Sequence, residues 1–99
     1  MIGSDVTVGH MAMLHACVLE DFAFVGMNAT VMDAAVVETD AMVAAGALVT
    51  PGKRVPRGEL WAGRPAKKMR DLSPAEMAGN RDSATYYAEI AARYLVAGL

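Results

Sequence analysis

The residues of this 99-residue chain best suited to chemistry are its two histidines, His10 and His15, both within the stretch VGHMAMLHAC. An imidazole can ligate a divalent metal or serve as a general base. A spacing of five fits neither a helix face, where neighbours are three or four apart, nor one side of a flat strand, where they are two apart. The two rings cooperate only if some other backbone carries them. Two readings stand at this point: metal ligands, or two exposed side chains close in sequence.

A repeat indicates that backbone. Large apolar residues recur at every sixth position: Leu19, Val25, Val31, Val37, Val43, Val49, Val55 and Trp61. Four positions on, a second register reads Ala23, Ala29, Ala35, Ala41, Ala47. Ile2, Val8 and Leu14 keep the same metre upstream, with one residue missing between Leu14 and Leu19. Period six is the mark of a parallel β-helix built from hexapeptides, three to a coil. The large aliphatic of each hexad points inward, and the small residue sits beside it at a corner. Coils stacked at ~4.8 Å set Leu19 on Val37 on Val55, and Val25 on Val43 on Trp61. Gly3, Gly9, Gly26 and Gly46 fall near hexad boundaries and are expected at tight corners with positive φ. A buried helix over AVVETDAMVAAGALV would suit its Ala and Met. It is excluded because the register runs on through Pro51 and Pro56.

On this metre His10 is two after the inward Val8 and His15 is one after the inward Leu14. Neither occupies a core slot, so both are expected to project outward from adjoining segments. The metre ends near Ala62. Ser73 then offers an N-cap, Pro74 a first helical residue and Glu76 the partner of a capping box. Met77, Ala84, Tyr87, Ala88, Ala91, Tyr94 and Leu95 follow helical spacing on one face. The expected organisation is a β-helix portion and exit loop over residues 1–72, and an amphipathic C-terminal helix over 73–99.

Composition agrees with a repeating interior. The chain is 55% hydrophobic, mostly Ala, Val and Met, with two Phe and one Trp. Such small, uniform apolar residues also suit burial against other subunits. No run approaches the ~18–20 apolar residues that span a bilayer, and no basic stretch precedes an apolar one as in a signal peptide. Cys17 is the single cysteine, so no internal disulfide forms, and a reducing, cytoplasmic setting is expected. Residues 1–50 carry six acids and no Lys or Arg, whereas residues 51–72 carry seven bases against Glu59 and Asp71. A coenzyme phosphate site is one reading of that segment. Without the aromatic interleaving of a nucleic-acid groove, it reads instead as a solvated loop facing a neighbour's acidic surface.

The run VTVGHMAMLHACVLEDFAFVGMNATVMDAAVVETDAMVAAGALVTPG, then WAGRPAKKMRDLS and SATYYAEIAARYL, resembles the C-terminal half of γ-class carbonic anhydrases and their close relatives. The hexads and the AGRPAK turn are shared with hexapeptide acyltransferases; the GHMAMLH spacing is the sharper marker. The resemblance implies an all-β parallel left-handed β-helix with a C-terminal α-helix, assembled as a homotrimer. It implies divalent metal, Zn²⁺ or else Fe²⁺ or Co²⁺, held by histidines between adjacent prisms. His10 matches the ligand that reaches across the interface, and His15 a ligand that shares its metal with a third histidine one coil earlier. That third histidine is absent here, as is the family's preceding segment, and Ala16 replaces the usual glycine after the second histidine.

The implied reaction is reversible hydration of CO2 to bicarbonate by metal-bound hydroxide, expected to be weak or absent with two histidines. The expected assembly uses trimerisation and the C-terminal helix for solubility, since about three and a half coils are close to the minimum for a solenoid. The alternatives are an acyltransferase or thioesterase acting on acyl-CoA, with one histidine as general base, and a non-catalytic trimeric scaffold. No nucleic acid or membrane partner is expected.

Overall fold

The computed structural model describes residues 1–84. The hexads become nine two-residue strands laid in turn on three faces: β1 (Thr7–Val8), β2 (Met13–Leu14), β3 (Val18–Leu19), β4 (Phe24–Val25), β5 (Thr30–Val31), β6 (Val36–Val37), β7 (Met42–Val43), β8 (Leu48–Val49) and β9 (Arg54–Val55). Every third strand pairs in parallel, because three hexads complete a turn. The first face carries β1-β4-β7 and then β10 (Glu59–Gly63) and β11 (Ala66–Asp71); the others carry β2-β5-β8 and β3-β6-β9. The architecture is a parallel β-solenoid of about three turns with one C-terminal helix.

The core follows the metre. Leu19 is in register with Val37 and Val37 with Val55; Val25 is in register with Val43 and Val43 with Trp61. Leu19 and the six valines after it are 0–1% exposed, and the alanines of the second register are buried beside them. β-branched side chains suit these stacked, pleated positions. Each contributes roughly 1.5–2 kcal/mol through burial. Cys17 continues the alanine register one step upstream and is buried as a small apolar side chain.

The corners correct one expectation. Positive φ recurs at Asp5, Met11, Ala16, Phe22, Asn28, Ala34 and Asp40, and then at Gly46, Gly52 and Gly58. Of the four glycines expected there, Gly46 alone has it. The other three serve close approach: a Cβ on Gly9 would lie 2.6 Å from the Met27 amide nitrogen, on Gly26 2.6 Å from that of Ala45, and on Gly3 2.8 Å from that of Asp21. Side chains at the left-handed corners cost about 1–2 kcal/mol each, offset by the stacking that fixes each corner. The corner series also locates the missing residue. Its steps are six except between Met11 and Ala16, so the tightened corner follows His15.

The exit segment is more ordered than the expected loop. β10 and β11 form an antiparallel hairpin around Gly63–Pro65, with a register shift between Leu60 and Trp61. Ala66 is buried against the core, so the hairpin extends the first sheet.

The capping box forms reciprocally. The Glu76 N–H donates to Ser73 Oγ at 3.1 Å, and the Ser73 N–H donates to Glu76 Oε1 at 3.0 Å. Arg70 grips the same carboxylate with two bonds of 2.7 Å, and these contacts hold the Glu76 pKa down to about 2. The helix, α1, is described over 74–84 and runs back along the first face. The Met77 sulfur lies over Gly58. Arg81 donates to Asp40 through Nε (2.7 Å) and Nη2 (2.6 Å), and its guanidinium covers the Phe22 ring at 4.0 Å. Ala84 is buried. The helical stripe expected at Tyr87, Ala88, Ala91, Tyr94 and Leu95 lies outside the described residues.

Candidate functional site

Both histidines stand on the first coil, one at each end of β2. His10 closes the corner after β1. Its carbonyl accepts the Asn28 N–H at 3.0 Å, which ties this corner to the coil beneath. Its side chain is exposed at the rim of a groove on the first face, beside Gly9, Met27 and Ala45. His15 follows β2, and its N–H donates to the Val31 carbonyl at 3.0 Å. The His15 side chain is 75% exposed. The expectation that neither ring enters the core therefore matches the fold.

The structure adds a partner that the motif did not reveal. His15 Nδ1 is hydrogen-bonded to Asp33 Oδ1. Asp33 is 18 residues on, one beyond the 17-residue step that sets Leu14 over Val31, and it lies at the corner of the coil beneath. The tightened corner lacks the residue that would stand over Asp33, and the His15 ring takes that place. An ionised carboxylate can only accept, so Nδ1 carries the proton and Nε2 keeps its lone pair in the neutral ring. The hydrogen bond to Asp33, reinforced by its charge, raises the His15 pKa above its ordinary value. Because Leu14 pairs with Val31, the metre alone sets Met32 beneath His15; the residue missing before the Ala16 corner is what brings Asp33 within reach of the ring.

The donor chemistry fits a metal only in part within one chain. Neutral His15 offers Nε2, a good ligand for a zinc-class ion, and His10 offers a second imidazole at a different corner. Among the described residues no three His, Cys, Asp or Glu side chains converge as a metal cage. Within one prism the described residues therefore present two separate imidazoles and no complete ligand set.

The basic segment is exposed, and part of it pairs with acids of its own chain. Arg54 Nη1 donates to Glu38 Oε2 at 2.5 Å, Lys68 lies 2.9 Å from Asp71 and 3.6 Å from Glu59, and Arg70 holds Glu76. These acids belong to this chain. Among the described residues no helix is long and apolar enough to cross a membrane.

No family model matches the chain. It is 50% identical over 91 residues, 92% of its length, to "Gamma carbonic anhydrase 1, mitochondrial" of Arabidopsis thaliana. It matches the C-terminal part of the γ-carbonic anhydrase-like proteins. "Protein YrdA" of Escherichia coli is 46% identical over 97 residues, 98% of the chain. The chain spans 33% of the plant protein and 53% of the bacterial one. Among solved structures, a hexapeptide transferase family protein from Anaplasma phagocytophilum superimposes with a TM-score of 0.88 at 45% identity, over 94% of this chain and 60% of that one. The γ-carbonic anhydrase-like likeness thus extends from the GHMAMLH stretch through the coils and into α1.

Proposed function

We propose that this chain forms a homotrimer of γ-carbonic anhydrase type with metal sites between neighbouring prisms, sites of the kind whose chemistry is reversible hydration of CO2 to bicarbonate. His10 of one copy and His15 of the next would ligate a zinc-class ion, with Fe²⁺ and Co²⁺ as alternatives. Such an ion, when bound, lowers the pKa of a coordinated water toward ~7 and so makes a nucleophile for CO2 available at neutral pH. The chain's own part is to present two imidazoles from successive corners and to keep His15 Nε2 free by engaging Nδ1. The observation that carries the reading is the exposed His15, tied to Asp33 one coil below, with His10 at the other end of the same strand. Buried Cys17, with no disulfide partner in the sequence, supports a reducing compartment such as the cytoplasm.

The sequence holds two histidines, one fewer than the three protein ligands common at catalytic zinc. Hydration catalysed by this chain is therefore expected to be weak or absent. Stopped-flow CO2 hydration with added zinc tests this, and a rate equal to that of a three-histidine relative would refute it.

A second reading follows from the hexapeptide transferase family protein among the structural neighbours: an acyl-CoA-dependent transferase or thioesterase with one histidine as general base. Turnover of acyl-CoA without bound metal would favour it. A trimer that binds neither metal nor acyl-CoA would favour a scaffold.

A further inference from the structure

We propose that Asp33 is a positioning residue for the metal site, fixing the His15 ring and its tautomer so that Nε2 is the ligating atom. The inference rests on the proposed interface site and deepens it. His15 sits on a coil whose corner is one residue short, and its ring leans over the coil beneath. Without a partner, a ring that is 75% exposed would rotate freely and exchange its proton between the two nitrogens. With Asp33 accepting from Nδ1, one orientation and one tautomer are selected before a ligand arrives. A carboxylate behind a ligating imidazole also increases its electron donation to the ion.

Nothing else among the described side chains contacts the His15 ring by hydrogen bond or ion pair, so the orienting role falls to Asp33. The contact is not a buried structural one. Asp33 is 58% exposed and lies outside the valine stack, so its replacement should leave the solenoid intact.

The test uses the full chain and its Asp33→Ala and Asp33→Asn variants. Thermal melting first verifies that all three share one midpoint within a few degrees. The ¹⁵N shifts of the imidazoles, recorded without metal above the His15 titration, then report the tautomer; with two histidines in the chain, a His10→Ala spectrum assigns them. The wild type is expected to show the Nδ1–H form, Asp33→Ala to shift toward Nε2–H, and Asp33→Asn, whose amide oxygen still accepts, to stay near the wild type. Zinc affinity by competition with a chromophoric chelator should fall by about 10–100-fold in Asp33→Ala and by less in Asp33→Asn. An unchanged tautomer in Asp33→Ala, or a zinc affinity within twofold of wild type, overturns the role of Asp33 while leaving the site reading in place. A wild type that takes up no zinc overturns the site reading itself, and the positioning role with it.

Discussion

Replacing Gly26 with alanine should be far more damaging than replacing Gly46, although both fall near hexad boundaries. At Gly26 the new Cβ would lie 2.6 Å from the Ala45 amide nitrogen and 2.9 Å from the Ala44 carbonyl carbon and the Ala45 Cα. Ordinary carbon contacts begin near ~3.5 Å. The clash is with backbone, so no side chain can rotate away. Relief requires the second and third coils to part locally, which loosens the β4–β7 pairing and the contact of Val25 with Val43. We expect the upper end of the overpacking range, about 3 kcal/mol. At Gly46 a Cβ meets nothing within 4 Å, but φ is +73°. There the cost is the left-handed backbone, about 1–2 kcal/mol, partly offset by roughly 0.5–1 kcal/mol from restricting the unfolded chain. The net is about 1 kcal/mol, consistent with the alanine already tolerated at the equivalent corner, Ala34. Thermal and urea unfolding at one fixed protomer concentration would measure both, since assembly makes midpoints concentration-dependent. Expected midpoint losses are on the order of 10–20 °C for Gly26→Ala and about 4–8 °C for Gly46→Ala. Equal losses, or a larger loss at Gly46, would refute the argument that inter-coil contact sets the glycine requirement.

The clamp of α1 should respond to mutation and to acid. Asp40 is 5% exposed, so Arg81→Ala removes its two-bond partner and leaves Arg57, 3.7 Å away, as the remaining cation. We expect a lower melting midpoint, with a smaller drop than for a fully buried pair because Arg81 is itself 42% exposed. The Arg81 hydrogen bonds, with the charges of Arg81 and Arg57, hold the Asp40 pKa below its ordinary 3.8 despite burial. The pair's contribution is therefore present above that value and lost as pH falls through the lowered one. The midpoint difference between wild type and Arg81→Ala should be constant above about pH 5 and shrink below about pH 4; a difference independent of pH would contradict the clamp. At the helix start, Ser73→Ala should cost about 1 kcal/mol of helix stability, read as faster amide exchange at residues 75–77, and unchanged exchange would contradict the capping role.

The solenoid was legible in the sequence because each hexad repeats one physical demand. A large aliphatic must enter the prism and a small residue must sit beside it, so Leu19 through Val55 and Ala23 through Ala47 announce their own burial. The capping box was equally local, needing only Ser73 and Glu76. Interactions between elements were harder to read. Asp40 and Arg81 are 41 residues apart on a strand corner and a helix, and no periodicity links them. The glycines misled because one residue type answers two demands, positive φ at Gly46 and close approach at Gly9 and Gly26, and only stacked coils distinguish them. The strand β11 falls in the segment expected as an exit loop, because it lies beyond the last residue of the metre, Trp61, and its outward residues are charged. At the candidate site, the outward placement of His10 and His15 was legible from the metre, whereas Asp33 required coupling that metre to the missing residue after His15.

The central claim is that His10 and His15 of different copies share a metal. The direct measurement is zinc content after equilibrium dialysis of wild type, His10→Ala, His15→Ala, and a refolded equal mixture of the two variants. The account predicts about one zinc per chain for a cyclic trimer of wild type and none for either variant alone. In the mixture, about a quarter of the interfaces regain one intact histidine from each side, so about a quarter of the zinc should return. Zinc retained by both single variants, or a mixture as empty as its components while wild type is loaded, would contradict an interface site built from these two residues.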